Sequence, residues 1–93
     1  MQHYQQFING EFTHAISGKT RNIINPATEE IIATVPDSQP EDADAAIIAA
    51  RNAFDSGVWS KLYAGDRAKA LLRLSTLMRE HFNELVTIEV QNN

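Results

Sequence analysis

The sequence predicts β structure first and α structure second: two β-hairpins over residues 1–36, then α-helices over residues 38–56 and 65–90. Three observations carry that prediction. Short extended runs up to Pro36 are broken by Asn9-Gly10 and by proline. From Ala43 onward, apolar residues return every third or fourth position, the period of a helix with one buried face. Gly57 then separates two such stretches, in the position where glycine commonly ends a helix.

The first hairpin joins Tyr4-Gln5-Gln6-Phe7-Ile8 to Glu11-Phe12 through Asn9-Gly10. Asn-Gly tolerates the positive φ of a type I′ turn and is the strongest short hairpin signal. Ser17-Gly18-Lys19 reads as a loop. The second hairpin pairs a strand ending at Ile23-Ile24 with Ile31-Ile32-Ala33-Thr34-Val35, across a turn shaped by Asn25-Pro26.

Ser38-Gln39-Pro40-Glu41 has the form of a capping box, so Ser38 is the expected N-cap of the first helix. Glu41, Asp42 and Asp44 place negative charge where the helix dipole favours it. Ala43, Ala46, Ile47, Ala50 and Phe54 mark one face of that helix. The second helix carries Leu71, Leu74, Met78, Phe82, Leu85 and Ile88 in a single stripe. Some 25 residues at about 1.5 Å each make a rod about 37 Å long. Two hairpins and one shorter helix offer too little apolar surface to cover such a stripe.

Composition narrows the function classes. At 43% hydrophobic and 22% charged residues over a length of 93, the chain is ordinary globular material of one domain or less. It has no cysteine, which excludes disulfides, thiolate zinc sites and a cysteine nucleophile among these residues. A net charge of -4 argues against a nucleic-acid partner, which calls for clustered Lys and Arg. Met1-Gln2-His3-Tyr4 lacks the basic and apolar regions of a signal peptide. No apolar run nears the roughly 20 residues that span a bilayer, so no membrane association is expected and the default location is the cytoplasm.

No catalytic constellation emerges. His3, His14 and His81 lie far apart and form no ligand set, so solvated histidines are the better reading. Gly10, Gly18, Gly57 and Gly65 make neither a dinucleotide fingerprint nor a P-loop. Glu29-Glu30 reads as a solvated turn, and Ser38 as a cap rather than a nucleophile.

The order of the pieces is more informative than any one of them. Phe7-Ile8-Asn9-Gly10-Glu11-Phe12 is followed by Ile24-Asn25-Pro26-Ala27-Thr28-Glu29-Glu30 and the strand to Pro36. Then come Asp42-Ala43-Asp44-Ala45-Ala46, Ala49-Ala50-Arg51-Asn52-Ala53-Phe54, Gly57-Val58-Trp59, Arg67 and Leu71-Leu72-Arg73-Leu74. This succession closely resembles the N-terminus of the NAD(P)-dependent aldehyde dehydrogenase superfamily, over essentially the whole chain.

The resemblance implies an α/β protein several times longer, of which this is the opening of the cofactor-binding domain. Such proteins oxidise an aldehyde to an acid with NAD or NADP, using a cysteine thiolate and a glutamate-activated water. Both residues, and the nucleotide-binding strands, lie beyond the part that this chain resembles. The resemblance therefore assigns no catalytic and no cofactor-binding residue here, and implies a chain that is inert alone. It also implies a monovalent cation held by the backbone carbonyl of Ile24, together with a carboxylate where this chain has Asn92. The implied partners are the remainder of the dehydrogenase chain and further copies in a homodimer or homotetramer. Tyr63-Ala64-Gly65-Asp66 departs from the family's usual hydroxyl-Pro cap, which predicts a frayed start to the second helix. Two other readings stay open: a small non-catalytic structural or interaction module, and a truncated gene relic.

Overall fold

A two-residue strand, β1 (Gln2–His3), precedes the first hairpin, in which β2 (Gln6–Ile8) and β3 (Glu11–Thr13) pair antiparallel. The computed structural model describes residues 1–93. At the turn Asn9 and Gly10 take φ of 54° and 77°, the left-handed geometry that Asn-Gly was expected to supply. Phe7 and Phe12 face each other across the pair, with ring centroids 4.9 Å apart.

The second hairpin joins β4 (Thr20–Ile24) to β5 (Ile31–Pro36). Its loop is fixed locally. Asn25 Oδ1 accepts the Ala27 N–H at 2.9 Å, and the Asn25 carbonyl accepts the Glu29 N–H at 2.8 Å. Glu29 carries the positive φ, 62°, that closes the turn. The register slips between Ile23 and Ile24, a β-bulge just before the loop.

Residues 1–36 are more than two hairpins. β1 adds to the outer edge of β5 in parallel, with Gln2 opposite Ala33 and His3 opposite Thr34, so the sheet order is β1-β5-β4. The Tyr4 N–H extends the ladder to the Thr34 carbonyl at 2.9 Å. β5 thus lies in the middle, and its Ala33 is buried.

α1 (Pro40–Ser56) ends at Gly57, whose φ of 78° is the left-handed C-cap expected of glycine. Its start corrects the sequence reading: the N-cap is Gln39, not Ser38. Pro40 explains the shift. Proline has no N–H to lose at the first helical position, so it belongs at N1, and N1 at residue 40 makes residue 39 the cap. Asp42 then stands at N3 and reaches back to accept the Gln39 N–H at 2.8 Å.

The expected helix over 65–90 is two helices, α2 (Ala64–Glu80) and α3 (Phe82–Asn92). His81 interrupts them, with φ −102° and ψ 20°. Helical hydrogen bonds continue on both sides, from His81 N–H to Leu77 C=O at 3.1 Å and from Leu85 N–H to His81 C=O at 3.0 Å. The interruption is therefore a one-residue bend. Glu84, at N3 of the new helix, brings Oε2 within 3.2 Å of His81 Nδ1. The start of α2 has no side-chain cap, only backbone donation from Asp66 and Arg67 to the Tyr63 carbonyl.

Very little of this structure is interior. Four of 93 residues are buried, and the only hydrophobic ones with a side chain are Ala15 and Ala33. The accessible surface is 7687 Å², whereas a compact monomer of this mass exposes about 5,400 Å². The radius of gyration is 16.8 Å, against about 12 Å for a compact chain of this length. The elements are well formed, but they are laid out rather than closed around a core.

Candidate functional site

Three places in this layout gather side chains. The first is polar and joins α1 to the β region. Asp42, 7% exposed, is the buried charged residue. Besides the Gln39 N–H, it accepts the Ile16 N–H at 3.1 Å from the loop after β3. It also accepts Gln6 Nε2 at 3.0 Å from β2. Gln6 extends the network. Its amide nitrogen reaches Thr13 Oγ1 and the His14 carbonyl, and its Oε1 accepts the Ser38 hydroxyl at 2.8 Å. The backbone N–H of Gln39, then Gln6, hold the Asp42 carboxyl below its ordinary value of 3.8, with Ile16 adding to the effect against the opposing cost of burial. Every partner of Asp42 is a donor. The carboxylate acts as a structural joint between α1, β2 and the loop after β3.

The second place holds the residues singled out for a cation. Ile24 lies at the end of β4, beside the bulge, and is half exposed. Asn92 is in the last turn of α3, where its Nδ2 donates to the Ile88 carbonyl at 2.8 Å. A cleft of 200 Å³ brings Asn92 together with Ile23, Val35 and Tyr4, so α3 ends against the same part of the sheet as the Ile24 bulge. The cleft walls include Ile23 rather than Ile24 itself.

The third place is apolar. Leu71, Leu74 and Met78 of α2 and Phe82, Leu85 and Val90 of α3 line an open groove of 670 Å³ that runs across the His81 bend. That volume is within the range of ligand sites, but such sites combine an apolar wall with convergent polar groups. Here Ser75, Arg79 and Glu89 are the polar lining residues, and the groove is a helix face more than a cavity. It holds Leu71, Leu74, Met78, Phe82 and Leu85 of the stripe that the sequence marked, exposed on both sides of the bend. Ile88 of that stripe lines the cleft against the sheet instead.

The three histidines go to three separate partners: His3 Nδ1 to Thr34 Oγ1, His14 Nε2 to Gln5 Nε2, and His81 to Glu84. No group of three or more His, Asp or Glu side chains converges. Glu29 and Glu30 are exposed in the turn before β5. The sequence reading did not single out Gln6 and Asp42 as partners. The available signal was Pro40, which sets the helix register and puts Asp42 at the position that reaches back over the helix start. No helix is long and apolar enough to cross a membrane.

A mixed sheet, an alanine-rich helix and a bent helix with an uncovered apolar face define part of an α/β domain. Comparison with known proteins gives that class a family. The family model for the aldehyde dehydrogenase family matches residues 12–93. Aldehyde dehydrogenase 1 of Tanacetum cinerariifolium is 50% identical over 84 residues, covering 90% of this chain and 17% of that protein. Among solved structures, an aldehyde dehydrogenase from Bacillus cereus in complex with NAD+ superposes with a TM-score of 0.92 at 46% identity, over 98% of this chain and 18% of that one. Betaine aldehyde dehydrogenase from Staphylococcus aureus superposes with a TM-score of 0.90 at 40% identity, over 94% of this chain and 18% of that one. The chain belongs to the aldehyde dehydrogenase family, and it spans less than a fifth of the length of these relatives.

Proposed function

We propose that this chain is the opening segment of the cofactor-binding domain of an aldehyde dehydrogenase, whose whole polypeptide oxidises an aldehyde to a carboxylic acid with NAD or NADP. In this reading the 93 residues are scaffold, inert alone, and the thiolate, the activated water and the nucleotide-binding strands belong to the remainder of the polypeptide. The bound nicotinamide would accept a hydride, and nothing on this chain touches it. The working protein is a cytoplasmic homodimer or homotetramer.

The observation that carries the reading is the uncovered apolar face from Leu71 to Val90. Exposed patches of this kind mark a surface that something else covers. The Nε of Arg67 supports the same view. It is buried with no hydrogen-bond partner, and an orphaned donor of that kind is costly unless an acceptor is supplied.

We also propose the Ile24 backbone carbonyl as a ligand for a monovalent cation, with Asn92, which shares a cleft with the neighbouring Ile23, as the second oxygen donor. Ile24 is the last residue of β4, paired with Ile31 beside the register shift that skips Ile32 of β5, so its carbonyl lies where the regular ladder ends. Asn92 supplies oxygen without charge, so the donor set suits a weakly held monovalent ion.

The test is a graft. Residues 1–93 replace the matching segment of the Bacillus cereus enzyme in one continuous chain, and NAD-dependent aldehyde oxidation is measured. The expected outcome is a soluble enzyme with kcat within about tenfold of the parent, a change in barrier of about 1.4 kcal/mol or less. A soluble but inactive graft would overturn the scaffold role.

A further inference from the structure

We draw no further inference here: the strongest candidate, the open apolar groove from Leu71 on α2 to Val90 on α3, belongs to the face already assigned to the rest of the dehydrogenase fold, and nothing else in the structure shows what covers it.

Discussion

The two halves of this chain are held together by opposite means. From β1 to α1 the joints are polar and are completed internally. Asp42 draws donors from β2, from the loop after β3 and from its own helix start, and the loops at Ser17 and Asn25 are closed by their own side chains. From α2 onward the surface is apolar and incomplete, with Leu71, Leu74 and Phe82 all exposed. Polar joints are directional and can be satisfied within a short segment, whereas an apolar face requires area that 93 residues do not possess. The first half also exposes apolar side chains, Phe7, Phe12, Ile47 and Phe54 among them, but its elements are tied to one another by polar contacts. The second leaves its apolar face uncovered, as the proposed place in a longer dehydrogenase chain requires.

The contrast can be broken most sharply at Leu74. Leu74→Asp should cost the graft at least about 2–5 kcal/mol, the range for losing a buried leucine side chain, before the added penalty of a buried charge. The same substitution in the isolated chain should leave far-UV circular dichroism almost unchanged, because Leu74 is already 51% exposed. Thermal melting of the two proteins checks this. Equal tolerance in both would mean that the groove is not an internal face.

Gln6→Ala tests the polar half. It removes the donor from β2 and leaves one side of the buried carboxylate unsatisfied, for a cost of about 1–3 kcal/mol. Amide hydrogen exchange should quicken at Ile16 and leave α2 amides untouched; uniform quickening would show that the two halves do not act separately.

The joint should also respond to acid. The pKa of Asp42 is lowered in the folded chain, so its contribution is complete well above 3.8 and is lost as pH falls below that value. Exchange at Ile16 should therefore accelerate below pH 3.8 in the parent graft, and Asp42→Asn should abolish that acid-dependent increment.

The smallest effect belongs to the exposed Arg51–Asp55 pair, 3.6 Å apart at i,i+4 spacing. Asp55→Asn should weaken α1 by about 0.3–0.5 kcal/mol at low salt. The difference should vanish at high ionic strength, as read by the melting temperature of the graft.

What was legible in the sequence follows how local the physics is. The Asn9-Gly10 turn and the Gly57 stop are single-residue backbone preferences, and both stand where they were read. The start of α1 is legible in Pro40, which sets N1 and so makes Gln39 the cap, although Ser38 offers a competing hydroxyl one position earlier. The bend at His81 was hidden. Neither glycine nor proline marks it, and Met78, Phe82 and Leu85 keep the same apolar face on both sides. β1 was equally hidden, since two residues pairing with a strand some thirty positions away leave no periodic trace. As for the candidate site, only family resemblance pointed to Ile24. A backbone carbonyl is present at every residue, so no side-chain pattern can single one out.

The position of β5 between β1 and β4 has a consequence for the order of assembly during synthesis. β4 and β5 can pair as soon as their shared loop exists. His3, however, must wait for Thr34, 31 positions later. At roughly 5–20 residues per second on the ribosome, that wait lasts about 2–6 s. Throughout it, the first strand emerges with no partner of its own. A strand of only two residues offers a poor template for mispairing with a neighbouring nascent chain, so its brevity protects the fold during the interval when its edge is open.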